Sequence, residues 1–511
     1  MTGVQTCALP ISETDDEANH CLARFGRRPL ELMEELGWLG DDVWFAHAIH
    51  LDPAEVALLT DLYELTVSAA FFEHGFNDTA SFEVAMRRMP PGRGFMVAAG
   101  IERLAEALEE YRFDAAAIGH LESLQLFKPD FLEFLSKLRF TGSIRAIPEG
   151  TIYFAGEPIV EIRAPLIEGQ LIETLALNQL GFASIVATKA ARCFVVAGGR
   201  RLVDFGPRRA QGADAALIAA RSSYLAGFHG TANVLAGKRY GIPVFGTMSH
   251  SFVMAHERER DAFSDFVSSF PALSTLLVDT YDTVHGVENA AAVGAKFREA
   301  GVKIQGVRLD SGDLHELSRK TRRILDQAGF GDIAIVASGN LDEYRIAELT
   351  DADAPIDAFG VGAALAVSDD APAADFTYQL VDYKDHGRLK TSAGKISTPG
   401  RKQLFRAYAP SGSFFADLIG IVDEGATTVA REFKPIPAKT VQLMETVLDK
   451  GRRIMPRPTL AAARERLMNG LTALDARYKT IRRPAEFPVR QTAALGALVI
   501  SEKLRADKRQ D

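Results

Sequence analysis

The sequence has little cysteine and tryptophan, and it contains no long apolar run. Its 511 residues include three cysteines, and Cys7, Cys21 and Cys193 have neither zinc-site spacing nor the even number of a disulfide framework. No apolar run approaches the roughly 18 residues that cross a bilayer, and no basic stretch precedes an apolar one at the start. We therefore expect a cytoplasmic protein without a membrane partner. The formal net charge of -9 argues against a nucleic-acid partner and leaves room only for local anion sites.

The first 53 residues differ in composition from the rest. Both tryptophans, Trp38 and Trp44, lie there. Residues 1–12, MTGVQTCALPIS, resemble a translated sequencing adapter, and residues 13–53 resemble a fragment of an amidohydrolase-superfamily deaminase. In that superfamily the first histidine of an AHxIH segment, here His47, is similar to a metal ligand. A catalytic zinc site needs about three convergent protein ligands. The other ligands have no counterpart here, so we expect no deaminase activity and a poorly docked head.

Short apolar strands alternate with helical patterns between residues 166 and 367. This alternation implies a parallel sheet, and its number of units favours a barrel over an open sheet. Loops after the strands then share one face, where polar residues are candidates for a site. The predicted strands cover residues 201–205, 242–245, 275–278, 304–309, 333–337 and 356–359.

The flanking segments are typical of an α+β unit. A helical pattern begins near residue 61, with Thr60 placed to cap it and with Tyr63 and Val67 on one face. Strand patterns follow at residues 144–162, and short strands and a helical tail come after the alternating region. We therefore expect a head (1–53), an N-terminal α+β domain (54–165), an α/β barrel with the site (166–367), and strands that complete the sheet domain before the tail (368–511).

Residues 246–251, GTMSHS, follow a predicted strand and open a helix. Amides and hydroxyls at a helix start can face an anion, and His250 lies at this start. An unperturbed imidazole titrates near about pH 6.5, so a neutral ring nitrogen can accept a phosphoryl group. A purely structural histidine is equally compatible with the spacing.

Residues 306–313, GVRLDSGD, place a guanidinium and two carboxylates at a strand end. Arg308 can form a bidentate pair with a planar carboxylate. Asp310 or Asp313 can hold ribose hydroxyls, or a magnesium ion through water. The alternative is an internal ion pair between Arg308 and an aspartate.

Small residues end the next two predicted strands. Ser338 and Gly339 follow one strand, and Gly360 and Gly362 end the other. Their small side chains permit close approach of backbone amides to phosphate oxygens. Ordinary turns are the alternative for each loop alone, but loops on one barrel face act together.

A basic cluster follows the earliest strand of the alternating region. Arg208 and Arg209 directly follow that strand, and Lys189 and Arg192 lie shortly upstream. Paired arginines at a strand end can chelate phosphate. Solvated surface arginines are the alternative.

Together these segments resemble the nicotinate phosphoribosyltransferase family from about residue 58 to the C-terminus. The likeness implies an α/β fold, an irregular (β/α) barrel of the type II phosphoribosyltransferase kind with an α+β sheet domain. It also implies a homodimer that joins nicotinate to phosphoribosyl pyrophosphate with ATP as cosubstrate and Mg²⁺ as cofactor, the first step of NAD salvage from nicotinate. The segments that carry it are DLYELT, FGPRRAQG, GTANVLAG, YGIPVFGTMSHSFV, LLVDTYDT, GVRLDSGDL, SGNLDE, FGVG and TPGRKQLFR.

The resemblance implies roles for individual residues. His250 would be phosphorylated transiently by ATP, and Tyr63, Thr247 and Arg308 would bind nicotinate. Asp310 and Asp313 are the candidate magnesium ligands. Ala363 stands where the family commonly has threonine, which removes a hydroxyl donor. The residues implied around the phosphosugar are Arg208, Arg209, Asp310, Ser338, Gly339, Gly360, Gly362 and Ala363.

Two other functions are compatible with the sequence. A nicotinamide or quinolinate phosphoribosyltransferase would share the barrel and the phosphosugar loops, although Arg308 favours a carboxylated ring. A catalytically silent chimera would bind phosphoribosyl pyrophosphate without forming product, and deletion of residues 1–53 would restore activity if the head is inhibitory.

Overall fold

The computed structural model describes residues 22–24, 53–392 and 397–508. The interpretation of the head falls almost wholly outside these residues. Cys7, Cys21, Trp38, Trp44 and His47 all lie outside them.

The first part of the described chain places helices next to antiparallel strands. The strand at Thr79–Met86 pairs along its length with the strand at Pro158–Pro165, which also pairs with the strand at Ser143–Ala146. The elements are α1 (Pro53–Leu58), α2 (Leu62–Glu73), β1 (Thr79–Met86), β2 (Met96–Val97), α3 (Ile101–Glu109), α4 (Ala115–Ser123), α5 (Pro129–Lys137), β3 (Ser143–Ala146), β4 (Ile152–Tyr153) and β5 (Pro158–Pro165).

The middle part alternates strands and helices. A short 3-10 helix at Pro207–Arg209 follows the first of these strands. The elements are α6 (Leu166–Leu171), α7 (Glu173–Val196), β6 (Arg201–Asp204), α8 (Ala213–Leu225), β7 (Gly230–Thr231), α9 (Val234–Tyr240), α10 (His250–Met254), α11 (Glu259–Ser269), β8 (Thr275–Leu277), α12 (Thr283–Glu299), β9 (Gly306–Leu309), α13 (Leu314–Gln327), β10 (Ala334–Ala337), α14 (Glu343–Asp351), β11 (Ala358–Val361) and α15 (Ala363–Ala366).

These strands form one parallel sheet in the order β7-β6-β11-β10-β9-β8. The predicted α/β fold with a parallel sheet is confirmed. Backbone pairing does not join β7 to β8 within the described segments, so the ladder has two unjoined ends. Buried aliphatic side chains such as Val307, Ile335 and Val361 explain why short strands suffice here. The carboxyl ends of parallel strands share one edge, so the loops after β6, β8, β9, β10 and β11 lie together.

The predicted strand at residues 242–245 is wrong. Only Val244 forms a bridge, and it pairs in parallel with Thr231 of β7. Pro243 lacks an N–H and therefore cannot donate to a ladder. Its carbonyl instead accepts from the Thr231 amide at 3.1 Å, so the edge strand is β7.

The last part returns to the antiparallel sheet and adds a second one. Strands predicted from the sequence stop near residue 429, so the short later strands were missed. The elements are β12 (Phe376–Tyr383), β13 (His386–Gly387), β14 (Lys402–Tyr408), β15 (Phe414–Ile421), α16 (Ala426–Val429), β16 (Lys439–Gln442), β17 (Glu445–Asp449), β18 (Arg452–Arg453), α17 (Leu460–Ala473), α18 (Ala476–Lys479), β19 (Val489–Gln491) and α19 (Ala493–Asp507).

A seven-stranded sheet combines strands from both ends of the described chain. Its order is β13-β12-β1-β5-β3-β17-β18. The expected sheet made from N-terminal and later segments is therefore present. A four-stranded sheet, β16-β14-β15-β19, lies beside it in the chain's last third. The boundaries proposed for four domains stay a prediction.

Helix α2 buries a different face from the one predicted. Its buried residues are Glu64, Leu65 and Ser68, whereas Tyr63 is 47% exposed. Thr60 does not cap the helix, because its hydroxyl donates to Glu64 Oε2 at 2.7 Å. Glu64 also accepts from the Thr174 amide and hydroxyl. These hydrogen bonds offset the cost of burying the Glu64 carboxylate. They thereby favour the orientation of α2 in which the face that carries Glu64 is buried.

Helix α7 is the core helix of the described structure. By length and composition alone it is apolar enough to cross a membrane, and 72% of its most apolar window is buried inside the protein. It carries Lys189 and Arg192, both buried. The apolar character of this long helix is therefore explained by its position between other helices and the small β2–β4 sheet.

Candidate active site

Arg308 connects three loops at the carboxyl edge of the parallel sheet. Its Nε donates to Ser338 Oγ at 2.7 Å, its Nη1 to Thr247 Oγ1 at 2.9 Å, and its Nη2 to Asp310 Oδ1 at 2.6 Å. The guanidinium also lies over the Phe205 ring, 5.3 Å from its centroid. The planar cation is therefore fixed on one face by a ring and in its plane by three oxygens.

Asp310 is held ionised by this arrangement. Burial opposes ionisation, but the hydrogen bond from Ser338 and the charge of Arg308 outweigh it, so the pKa of Asp310 lies below its ordinary value. The Asp310 amide donates to Asp279 Oδ2 at 2.9 Å, and the Ser311 hydroxyl donates to the same oxygen at 2.6 Å. Asp279 therefore fixes the loop that presents Asp310.

His250 opens α10 beside these carboxylates. Ser249 caps the helix, with its hydroxyl accepting from the Phe252 amide. His250 Nδ1 lies 3.1 Å from Thr280 Oγ1, and Nε2 lies 3.9 Å from Asp310 Oδ2. The imidazole is 42% exposed. It is thus oriented from one side and reachable by a ligand from the other.

Glycines permit close approach between the loops. Gly339 has a φ of +88°, and a Cβ there would lie 1.9 Å from the Asp310 carbonyl oxygen. A Cβ on Gly360 would lie 2.3 Å from the Phe205 ring. Both positions therefore require glycine for packing between loops. Gly362 and the exposed Ala363 come directly after the last residue of β11, and Ala363 begins α15. Their small side chains leave the backbone accessible at this edge of the sheet.

Arg208 and Arg209 are exposed in the 3-10 helix after β6. Within residues 53–392 and 397–508 neither guanidinium has an ion pair, so both charges are available to an anion. Asp204, at the end of β6, accepts from the Thr231 hydroxyl at 2.7 Å and from the Gly206 amide at 2.8 Å. These bonds set the direction in which the chain leaves the strand toward the arginines.

Asp313 has a local structural role. It caps α13, accepting from the His315 amide at 3.0 Å and the Glu316 amide at 3.3 Å through Oδ1. A cavity of about 280 Å³ lies between this loop and the one after β10, lined by Asp310, Ser311, Gly312, Leu314, Gly339, Asn340, Asp342 and Arg345. Among the described residues no three histidine, cysteine or acidic side chains cluster as a metal site would require.

Tyr63, Lys189 and Arg192 have described partners other than Arg308 and His250. Tyr63 bonds to Glu173 at the start of α7, and burial together with that carboxylate raises its pKa. Lys189 and Arg192 are buried against Glu343, with Lys189 Nζ 2.5 Å from Glu343 Oε2 and Arg192 Nε 2.9 Å from Glu343 Oε1. These two basic residues upstream of Arg208 are therefore internal.

The sequence reasoning missed Asp279, Thr280 and Phe205 as parts of this site. Asp279 and Thr280 lie two and three residues after the end of β8, and Phe205 directly follows β6. The expectation that polar residues after strands line the site covers Asp279 and Thr280, whereas Phe205 is apolar and carries no such signal. The structure shows that they orient Asp310, His250 and Arg308 respectively.

Comparisons with known proteins agree with one another. Family models match residues 58–180 (nicotinate phosphoribosyltransferase N-terminal domain), 200–403 (nicotinate phosphoribosyltransferase family) and 401–499 (C-terminal domain). Nicotinate phosphoribosyltransferase pncB2 of Mycobacterium tuberculosis is 46% identical, covering 83% of this chain and 89% of its own length. The Bacillus subtilis nicotinate phosphoribosyltransferase is 37% identical, over 85% of this chain and 92% of its own.

A solved structure extends the likeness to three dimensions. The crystal structure of human nicotinic acid phosphoribosyltransferase aligns with a TM-score of 0.78 and 30% identity, covering 86% of this chain and 99% of the human one. The matches begin near residue 58, where the resemblance carried by the DLYELT segment was predicted to start. The chain belongs to the nicotinate phosphoribosyltransferase family.

Proposed function

We propose that this chain forms nicotinate mononucleotide and pyrophosphate from nicotinate and phosphoribosyl pyrophosphate, with ATP hydrolysed to ADP and phosphate in the same cycle. The observation that carries the proposal is Arg308. It is held by Thr247, Ser338 and Asp310 at the sheet edge, beside His250 and the glycine loops. A fixed guanidinium suits a flat carboxylated ring, and the neighbouring loops suit a phosphorylated sugar.

The proposed nicotinate site uses the donors that Arg308 has left. A guanidinium carries five N–H donors, and the three contacts above use one on each nitrogen. One N–H on each terminal nitrogen is then available for the nicotinate carboxylate. Thr247 fixes the guanidinium plane, and an aromatic side chain can cover the ring. The pyridine nitrogen attacks the anomeric carbon, and the bond from that carbon to pyrophosphate breaks.

The proposed phosphosugar site lies on the adjacent loops. Ser338 and Gly339 follow β10, while Gly360 lies within β11 and Gly362 and Ala363 follow that strand, so the loops after both strands can offer amides to phosphate. Arg208 and Arg209 add two unpaired charges for the phosphates, including the departing one.

His250 is proposed as the phosphoryl acceptor. A proton on Nδ1, shared with Thr280 Oγ1, leaves the lone pair on Nε2 as the nucleophile. This nitrogen attacks the terminal phosphorus of ATP, and ADP leaves. Water later cleaves the phosphorus–nitrogen bond, which releases phosphate and restores His250. Asp310 lies on the Nε2 side and can balance the charge of the ring.

Mg²⁺ fits the carboxylates at this edge. Asp279 Oδ1 is buried and has no hydrogen-bond partner in the described structure, while Asp310 next to it is held ionised. Asp310 and Asp279 would hold the ion together with the diphosphate, and Asp313 keeps Oδ2 available beyond its cap. When bound, the ion neutralises negative charge on the pyrophosphate leaving group.

Tyr63 is proposed to act across a homodimer. It contacts Glu173, and Lys189, which reaches Glu343 near the site, lies sixteen residues further along α7. A helix rises about 1.5 Å per residue, so roughly 24 Å separate the two positions along its axis. The proposal therefore assigns the cover of nicotinate to Tyr63 of a second copy, because Tyr63 of the same copy contacts the start of α7 and not the part that carries Lys189. The cytoplasmic location expected from the sequence stays a prediction.

Substrate competition tests the proposed function. Purified protein would be incubated with phosphoribosyl pyrophosphate, ATP, Mg²⁺ and equal amounts of nicotinate, nicotinamide and quinolinate, and the products separated by chromatography. We expect nicotinate mononucleotide to form from nicotinate. Preferential use of nicotinamide or quinolinate would assign the chain to another substrate, and tight binding of phosphoribosyl pyrophosphate without product would support the silent chimera.

A further inference from the structure

Lys189 joins two segments that come from different loops of the site. Its Nζ lies 2.5 Å from Glu343 Oε2, 2.6 Å from Asp369 Oδ1 and 3.1 Å from Asp370 Oδ1. The lysine side chain is 1% exposed and that of Glu343 is fully buried. One cation on α7 therefore holds carboxylates from two parts of the chain.

Each of these carboxylates lies just beyond a proposed phosphosugar loop. Glu343 is the first residue of α14, which starts directly after the loop of Ser338 and Gly339. Asp369 follows α15, which starts at Ala363 directly after the glycine loop of β11. A shift of either helix start moves the amides of the preceding loop, because only a few residues separate them.

Two arginines complete the cluster on either side of Lys189. Arg192 Nε lies 2.9 Å from Glu343 Oε1, and Arg93 Nη2 lies 2.8 Å from Asp370 Oδ1. Arg93 also donates to the Ser368 hydroxyl at 2.6 Å. Glu343 and Asp370 thus each keep a second cation, whereas only Lys189 contacts both segments. The two loops also follow neighbouring paired strands, β10 and β11, and Lys189 adds to that pairing an ion-pair connection between the segments beyond them.

Stability alone is a weak explanation for this cluster. Buried ion pairs commonly add no more stability than well-packed apolar side chains, because desolvation offsets their attraction. What they do impose is a fixed geometry between the partners. Two loops that must grip one phosphosugar from neighbouring strands need such a fixed separation.

We propose that Lys189 is a positioning residue that sets the spacing between the loop after β10 and the loop after β11 for binding phosphoribosyl pyrophosphate. The proposal rests on the proposed function, since that function names the ligand. Lys189 does not touch the ligand, and it acts through Glu343 and Asp369. Nicotinate, held by Arg308 and Thr247, should be insensitive to the loss of Lys189.

Four variants test the role of Lys189. Lys189→Met removes the ion pairs that connect the two segments. Asp369→Asn weakens the ion pair between Lys189 and Asp369, with little risk to folding because the Asp369 side chain is about half exposed. Lys189→Arg keeps the cation. Lys402→Met is the matched control, because Lys402 of β14 is a similarly buried lysine that pairs with Glu83 of β1 at 2.9 Å. Calorimetry would measure binding of phosphoribosyl pyrophosphate with Mg²⁺ to each full-length protein, and steady-state assays would give KM for both substrates.

We expect Lys189→Met to weaken phosphoribosyl pyrophosphate binding about tenfold or more and Asp369→Asn about threefold, with KM for nicotinate changed less than about twofold. Lys189→Arg should recover part of the loss, and Lys402→Met should bind as the unmodified protein does. Unchanged binding in both Lys189→Met and Asp369→Asn would overturn the proposal, as would an equal loss of affinity for both substrates.

The outcomes separate this proposal from the proposed function. If Lys189→Met does not fold, Asp369→Asn and Lys189→Arg decide the question. If the unmodified protein binds phosphoribosyl pyrophosphate but makes no nicotinate mononucleotide, the proposed function fails, and the binding data still decide the role of Lys189. If it does not bind phosphoribosyl pyrophosphate at all, both fail.

Discussion

Arg308 and Asp310 form an ion pair, with Nη2 2.6 Å from Oδ1, across the end of β9. The same carboxylate oxygen accepts from Ser338 at 2.5 Å, and the same guanidinium donates to Ser338. The internal ion pair that the sequence left as an alternative is therefore present. It does not exclude ligand binding, since the guanidinium retains unused donors.

Arg308→Lys tests this interpretation. Lysine keeps the charge but cannot bond Thr247, Ser338, Asp310 and a ligand carboxylate together. We expect KM for nicotinate to rise about 10- to 100-fold while binding of phosphoribosyl pyrophosphate changes less than about threefold. Steady-state kinetics with each substrate varied would measure both effects. Equal losses for the two substrates would place Arg308 in the loop framework instead.

His250→Asn should abolish the stimulation of turnover by ATP without changing the fold, because asparagine lacks a nucleophilic ring nitrogen. ATP labelled in its terminal phosphate should give acid-labile label at His250 in the unmodified protein and none in the variant. His256→Asn is the control, since His256 is held by Phe252 and Asp265 and has no contact with Thr280. ATP coupling that persists in His250→Asn would refute the phosphoryl role.

Ala363→Thr should strengthen phosphoribosyl pyrophosphate binding. The exposed Ala363 opens α15, where a hydroxyl would add a donor that the family commonly has. One added hydrogen bond contributes about 0.5–1.5 kcal/mol, or roughly two- to tenfold in affinity. Ala363→Val has the same shape without the hydroxyl and should not gain affinity. Calorimetry would measure the affinity of both variants for phosphoribosyl pyrophosphate. An equal gain in both would show that packing, and not the hydroxyl, strengthens binding.

Asp204 should make stability depend on pH. Burial raises its pKa from an ordinary 3.8 to about 6, against the opposing hydrogen bond of Thr231. A carboxyl group whose pKa is raised on folding stabilises the fold below its unfolded pKa, and this contribution is lost as pH rises through the folded value. The loss between about pH 4 and 6.5 amounts to roughly 3 kcal/mol.

Asp204→Asn removes this titration. Its free energy of unfolding relative to the unmodified protein should therefore increase across that interval and stay level above it. Denaturant unfolding at closely spaced pH values would measure the difference. Curves that run parallel at every pH would show that Asp204 does not titrate there.

Much of the fold followed from local pattern. The five confirmed strands of the parallel sheet are short aliphatic runs that end in polar loops, so burial and turn residues mark them clearly. Residues 242–245 form only an isolated bridge, because Pro243 can accept a backbone hydrogen bond but cannot donate one to a ladder. The strands after residue 429 were missed because they are short and partly charged, and long-range pairing, such as β17 with β3, stabilises them.

The sequence by itself determined the family and the order of residues along one edge of the sheet, because strand ends and small residues leave local signals. Only the tertiary structure decided what each residue contacts. It set Arg308 against Ser338 and Asp310, placed Tyr63 against Glu173 at the start of α7, and buried Lys189 against Glu343 and Asp369. These contacts join residues far apart in the chain, and their free energy depends on burial and neighbouring charge, which no local pattern records.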